Sequence, residues 1–193
     1  MKDNIAVVGL GYVGLPLFIA LNKYFNTIGF DTNKKRVNNL KEKYDINNEF
    51  QKDSFKKIKR NKITHNLNDI KNCNIYIITV PTPIYKNKKP NLSNIIEATK
   101  NISKIMNKDN FIIYECTVYP GLIEEVCIPI IDKISKLKLN KDYFCGYSPE
   151  RINPGDKKHT LENTIKIVSA SNNYSLNYIN NIYSKIIKAG TKK

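Results

Sequence analysis

Gly9-Leu10-Gly11-Tyr12-Val13-Gly14 stands between two stretches that repeat with different periods. Before it, Asn4 to Val8 is a short apolar run rich in β-branched residues. After it, Val13, Leu17, Ala20, Leu21 and Tyr24 recur at helical spacing. A strand, a tight turn and a helix follow. In a G-x-G-x-x-G at that place, Gly9 permits the sharp turn, Gly11 lets backbone approach a pyrophosphate, and Gly14 lets the helix pack closely on the strand. The helix N-terminus adds backbone donors and a dipole that favours an anion. Asp31 comes 22 residues after Gly9, at the end of a second strand expected over Thr27 to Phe30. A carboxylate there accepts from the ribose hydroxyls of an adenosine and repels a 2′-phosphate, so the expected cofactor is NAD rather than NADP. Lys34, Lys35 and Arg36 follow closely. Arg36 lies either beside the adenine or on the solvated face of a helix.

The remaining chain alternates in the same way. Asn33 is placed to cap a lysine-rich helix running to about Lys43. The segment from Tyr44 to Asn74 is polar; a helix near Asp53 to Arg60 and a short strand near Ile63 are expected. Ile75 to Val80 is a continuous apolar run of buried-strand type, stopped by Pro81 and Pro83, which cannot donate to a ladder. Ser93 starts a helix, Phe111 to Tyr114 is a strand, and Ile123 to Ile134 is a helix that Pro129 should bend or interrupt. Tyr143 to Tyr147 and Ile165 to Ser169 read as strands, and Tyr174 to Lys188 as a closing helix. Strand and helix in alternation predict one α/β domain over 1–193, a doubly wound, mostly parallel sheet in the order 3-2-1-4-5-6.

Composition excludes several roles. The net charge of +15 would ordinarily suggest nucleic acid, but only three of the 32 basic residues are arginine, Arg36, Arg60 and Arg151. The lysines are dispersed among Asn and Ile, as an A+T-rich coding sequence favours, and bidentate readers of bases or phosphates are scarce. No nucleic-acid partner is expected. Four cysteines form no C-x-x-C pair and His65 and His159 are far apart, so no metal site is expected and each thiol reads as a small buried hydrophobe. No apolar stretch is long enough to span a membrane, and the expectation is a soluble, cytoplasmic protein without a membrane partner.

Three further motifs fall at strand carboxyl ends: Val80-Pro81-Thr82-Pro83, Glu115-Cys116-Thr117-Val118-Tyr119-Pro120-Gly121, and Tyr147-Ser148-Pro149-Glu150-Arg151-Ile152-Asn153-Pro154-Gly155. Each on its own suits a turn or a cap. Together they line one edge of the sheet, where open α/β folds bind ligands, with Thr117 and Glu150 flanking a nicotinamide. The combination G-L-G-Y-V-G-L-P, V-P-T-P, T-V-Y-P-G and S-P-E-R-I-N-P-G resembles the UDP-glucose/UDP-N-acetylhexosamine 6-dehydrogenase family over nearly the whole chain. That resemblance implies a Rossmann-like NAD domain of an enzyme that oxidises the C6 alcohol of a UDP-sugar twice, to a uronate. The S-P-E-R-I-N-P-G form, with Pro154 where UDP-glucose enzymes more often carry an acidic residue, favours an acetamido sugar and a role in surface polysaccharide synthesis. By resemblance, Gly9, Gly11, Tyr12, Val13, Gly14, Asp31, Arg36, Thr82 and Thr117 contact NAD. Thr117 and Glu150 serve the chemistry, and Glu150 and Arg151 meet the sugar nucleotide.

The family's second oxidation uses a cysteine in a G-x-C-[FI]-P-K/V-D setting, helped by a lysine and an asparagine on a central helix. None of these settings occurs here. The expectation is an amino-terminal portion lacking the central helix and the UDP-sugar domain, with Cys116 and Cys145 as packing residues. A non-catalytic dinucleotide-binding module and a UDP-glucose 6-dehydrogenase stand as alternatives, as do a homo-oligomer or a separate carboxy-terminal chain as partner. A 6-phosphogluconate or 3-hydroxyacid dehydrogenase shares the glycine motif but gives no reason for V-P-T-P and S-P-E-R-I-N-P-G.

Overall fold

A computed structural model describes residues 3–47, 55, 58–59, 62–150 and 160–193. In chain order its elements are β1 (Asn4–Val8), α1 (Gly14–Leu21), β2 (Asn26–Phe30), α2 (Lys34–Lys41), β3 (Ile63–Thr64), a 3-10 turn (Leu67–Ile70), β4 (Ile75–Ile78) and α3 (Ser93–Ser103). They continue with β5 (Asn110–Tyr114), a π-helical turn (Ile123–Cys127), α4 (Ile128–Ser135), β6 (Tyr143–Tyr147), a 3-10 turn (Leu161–Asn163), β7 (Lys166–Ile167), β8 (Ser169–Ala170), α5 (Asn173–Ser184) and β9 (Thr191–Lys192). Seven strands form one sheet in the order β3-β2-β1-β4-β5-β6-β8, and β7 pairs with β9 separately.

β1 is parallel to β2 on one side, Ile5 opposite Thr27, and to β4 on the other, Ile5 opposite Ile75. The chain therefore reverses its direction of winding between β1 and β4, and the carboxyl ends there open into a crevice. Strand side chains alternate between faces. Ile5, Val7, Ile75, Ile77 and Ile113 join Leu17, Phe18, Val37, Leu40 and Ile179 of α1, α2 and α5 in one core. Ala6, Val8, Tyr76, Ile78 and Ile112 join Ile95, Ile102 and Ile131 of α3 and α4 in the other. Both faces are covered, which is why these strands read as unbroken apolar runs rather than alternating ones.

The structure departs from the sequence expectations in three places. The stretch from Ile165 to Ser169 is not one strand. Lys166 and Val168 pair through backbone with Gly190 and Lys192, and Ser169–Ala170 then runs antiparallel beside β6. Buried Lys166 and Val168 commit that first part to the second small sheet, and the partner switch ends the strand. At Pro129 the helix is interrupted as expected: the proline lies in the first turn of α4 and the chain enters through the π-helical turn, because a proline without an N–H is tolerated at a helix start and not inside one. β4 stops at Ile78, two residues before Val80, since Thr79 turns its hydroxyl onto the Val8 and Gly9 carbonyls. α5 ends at Ser184 rather than Lys188, although Ile186 and Ile187 remain buried beyond it. The helix expected over Asp53 to Arg60 lies largely outside the described residues; Phe55 and Ile58 within it are buried. Asn33 caps α2 as expected, its side chain accepting from the Arg36 amide at 3.1 Å.

Candidate cofactor site

The turn after β1 is locked from below. Gly9 has φ +99°, a conformation that favours glycine, and its amide donates to the Phe30 carbonyl at 2.8 Å. At Gly14 a β-carbon would overlap the Gly9 carbonyl and the Thr79 hydroxyl, so only glycine lets α1 start this close to β1 and β4. At Gly11 a β-carbon would meet nothing within 4 Å. The three glycines therefore divide their roles: Gly9 and Gly14 are required by the fold, whereas Gly11 keeps clear a space that the fold itself leaves open. α1 begins with no side-chain cap, which leaves its N-terminus beside that turn without a side-chain partner among the described residues.

Two cavities meet over this turn. A cleft of about 510 Å³ is lined by Gly9, Leu10, Gly11, Asp31, Asn33 and Arg36 on one side and by Val80, Pro81, Asn94 and Ala98 on the other. A smaller cavity of about 70 Å³ is lined by Gly11, Tyr12, Val13, Thr82, Thr117 and Glu150, with Thr79, Glu115 and Cys116. Gly11, Val80 and Pro81 belong to both. Gly14 lines neither, and what the structure shows for it is close packing against the Gly9 carbonyl and the Thr79 hydroxyl. The V-P-T-P loop is held by Asn94 of α3, whose amide nitrogen donates to the Pro81 carbonyl at 2.9 Å.

Asp31 Oδ2 accepts from the Leu10 amide and Oδ1 from the Asn33 amide, both at 2.8 Å. A carboxylate has about four acceptor positions, which leaves capacity for two ribose hydroxyls. Arg36 is not a solvated residue. It is 8% exposed, its Nε donates to the Leu10 carbonyl at 2.8 Å, and its Nη1 pairs with Asp45 Oδ1 at 2.6 Å. Nη2 has no hydrogen-bond partner among the described residues and its side chain lines the large cleft. The guanidinium thus ties α2 to the glycine-rich turn and keeps one donor available. Asp45 was not foreseen from the sequence, where it sits in a polar stretch without periodicity.

Thr82 Oγ1 is buried and without a partner among the described residues. A desolvated hydroxyl left unpaired costs free energy, so its position fits a ligand oxygen better than it fits the fold. Thr117 is exposed at the end of β5 and Glu150 follows β6 with its side chain 7% exposed; the adjacent parallel strands bring the two to one cavity wall. Arg151 lies outside the described residues.

All four cysteines are free and buried, as expected. Burial pushes the Cys73 thiol up to about 11 and the Cys116 thiol up to about 12, and it raises Cys127 and Cys145 as well. A nucleophilic thiol needs a lowered value, so none is activated. Among the described residues no cluster of His, Cys, Asp or Glu could hold a metal ion, and no helix is long and apolar enough to cross a membrane. Unforeseen from the sequence are Lys166 and the polar role of Tyr183, a residue at helical spacing in the closing helix; they hold Glu115 in a buried ion pair and a 2.6 Å hydrogen bond. An isolated lysine in a lysine-rich chain carries no local signal of burial.

The donors and spaces present fit a dinucleotide: a carboxylate for the ribose, uncapped amides and an open Gly11 for the pyrophosphate, and an orphaned hydroxyl beside a small cavity. Comparison with known proteins agrees. Residues 3–187 match the model described as UDP-glucose/GDP-mannose dehydrogenase family, NAD binding domain. UDP-N-acetyl-D-glucosamine 6-dehydrogenase of Salmonella typhi is 47% identical over 190 residues, covering 98% of this chain and 45% of the relative. Protein CapL of Staphylococcus aureus is 45% identical over 193 residues, covering 100% of this chain and 45% of the relative. The solved UDP-D-ManNAc dehydrogenase from Pyrococcus horikoshii superposes with a TM-score of 0.88 at 25% identity, covering 97% of this chain and 46% of that one. The chain spans about half the length of the curated relatives it matches.

Proposed function

The chain belongs to the UDP-glucose/GDP-mannose dehydrogenase family as its NAD-binding domain, and from that premise we propose that it is the cofactor portion of an enzyme oxidising the C6 alcohol of a UDP-N-acetylhexosamine to the uronate. The observation that carries this reading is the shared small cavity: Thr82, Thr117 and Glu150, from three separate strand ends, line one space beside the open Gly11. Bound NAD supplies the hydride acceptor. Thr82 donates its hydroxyl to the cofactor, Gly11 admits the pyrophosphate, and Asp31 accepts from the adenosine ribose. Thr117 and Glu150 meet the sugar end, with the Glu150 carboxylate taking up the proton that leaves the C6 hydroxyl. Arg151, by resemblance, meets the sugar nucleotide.

The acetamido sugar is supported by the S-P-E-R-I-N-P-G motif and by the Salmonella typhi relative, named for UDP-N-acetyl-D-glucosamine. The reaction then belongs in the cytoplasm and supplies an acidic sugar nucleotide for a surface polysaccharide. The four thiols are buried and protonated, so the trapping nucleophile of the second oxidation is not among them.

Fusing this chain to the remaining carboxy-terminal part of the Salmonella typhi relative and following NADH absorbance tests the proposal. Two NADH per UDP-N-acetylglucosamine are expected from the fusion and none in sustained turnover from the 193-residue chain alone. A fusion that folds, binds NAD and prefers UDP-glucose sinks the acetamido-sugar reading. Two NADH per sugar from the chain alone, lost in Cys116→Ala or Cys145→Ala, would identify a thiol assigned here to packing.

A further inference from the structure

Behind the small cavity lies a buried charge cluster that the cofactor motifs do not explain. Glu115, at the end of β5, has its side chain 0% exposed and pairs through Oε1 with the Lys166 ammonium. Its Oε2 accepts from the Tyr183 hydroxyl of α5 at 2.6 Å. Lys166, on β7 with its side chain 5% exposed, also donates to the Pro149 carbonyl at 3.4 Å and stands 3.9 Å from Glu150 Oε2. The ammonium lies 5.7 Å from the centre of the Tyr183 ring, whose π face favours a cation. One ammonium therefore serves two buried carboxylates, both of which line the cavity, while Lys166 itself does not line it.

Buried ion pairs contribute little net stability, because desolvation offsets most of the attraction. A pair serving the fold alone would be complete with Glu115 and Lys166. Here the ammonium is also drawn to the Pro149–Glu150 loop, where an opposite charge at this range favours the ionised carboxyl. We propose that Lys166 is a positioning residue for Glu150: its ammonium keeps the Glu150 carboxyl ionised and anchored beside the cavity, and Glu115, competing for the same ammonium, moderates that effect. The proposal rests on the reading of Glu150 as the group that takes the proton from the sugar hydroxyl.

Among the described residues, the groups facing Glu150 include Lys166 from β7, Glu115 and Cys116 after β5, Tyr183 from α5, and Tyr12 from the glycine-rich turn across the cavity. Burial holds the Cys116 thiol up at about 12 and raises the Tyr183 hydroxyl well above its ordinary range. Both stay neutral around neutral pH, and the Lys166 ammonium is a cation within ion-pair range of Glu150.

Carbon-13 labelling of the glutamate carboxyls, with Glu150 assigned through Glu150→Gln, reads its titration directly in the chain as it exists. Lys166→Met should raise the Glu150 midpoint by about one pH unit or more, Glu115→Gln should lower it, and Lys166→Arg should stay close to the parent. An unchanged or lowered midpoint in folded Lys166→Met overturns the proposal. If that variant does not fold, Glu115→Gln decides alone, and an unchanged or raised midpoint overturns it. The catalytic reading of Glu150 is separable: full turnover by a Glu150→Gln fusion enzyme would remove that reading and leave the titration result standing.

Discussion

The carbonyl oxygen of Gly9 occupies the space that a β-carbon at Gly14 would need. The Gly9 backbone cannot give way by a rotamer change, and the Thr79 hydroxyl beside it is held on the Val8 and Gly9 carbonyls, so Gly14→Ala should destabilise the fold by more than about 3 kcal/mol, beyond ordinary overpacking. Gly11→Val is the contrasting variant, since its side chain enters open space. It should keep the parent's thermal unfolding temperature and lose NAD binding by calorimetry. A folded Gly11→Val chain that binds NAD normally would remove the pyrophosphate from this turn.

Asp31 discriminates by charge. Two of its acceptor positions are used by backbone amides, and on the proposed reading, in which the others take the ribose hydroxyls, an added 2′-phosphate would meet a carboxylate. The chain should bind NAD more tightly than NADP by at least about tenfold, roughly 1.4 kcal/mol. Parallel titrations of the two cofactors decide it, and equal affinities would mean that Asp31 is only a turn residue.

Arg36 and Asp45 are expected to act as one unit. Removing one partner of a buried pair leaves the other charge uncompensated, so Asp45→Ala should cost about 3–5 kcal/mol in urea unfolding. Because Arg36 Nε also holds the Leu10 carbonyl, NAD affinity should fall in the same variant. Asp45→Asn should recover part of both losses, and an unaltered unfolding midpoint in Asp45→Ala would contradict the pairing.

Thr82 offers a test in which stability and binding separate. Thr82→Val deletes a buried hydroxyl without a partner among the described residues, so the free chain should unfold at the same temperature or higher. NAD affinity should fall by about 1 kcal/mol, the typical worth of one neutral hydrogen bond. A loss of stability with unchanged affinity would assign the hydroxyl to the fold.

The thiols predict alkaline sensitivity. Their folded-state values, about 11 for Cys73 and about 12 for Cys116, lie above the free-thiol value of 9.0. Above pH 9 the unfolded chain loses protons that the folded chain keeps. The stability these thiols contribute is therefore fully present below pH 9 and declines as pH rises toward 12, by about 1.4 kcal/mol per pH unit for each such thiol. Urea midpoints at pH 7, 8.5 and 10.5 should be similar for the first two and lower at the third. Cys73→Ala and Cys116→Ala should flatten that decline, and a thiol reagent at pH 8 should react only after unfolding.

Period and punctuation in the sequence were sufficient for the parallel part of the sheet: β1, α1, the asparagine cap of α2, and the order of strands around β1 and β4 all follow from apolar repeats, glycines and prolines close to one another in the chain. The same local signals marked Gly11, Asp31, Thr82, Thr117 and Glu150, because topology sends every parallel strand end to one edge. What depended on contacts distant in sequence was not legible. Whether Arg36 faced solvent or cleft was decided by Asp45 and the Leu10 carbonyl, and the break between β7 and β8 by pairing with Lys192 and Tyr147. Burial of Lys166 beside Glu115, which lies 51 residues earlier, came from the packing of β5, β7 and α5. A side chain's local propensity is written in its neighbours along the chain, whereas its charge environment is a sum over neighbours in space, and only the folded sheet brings those together.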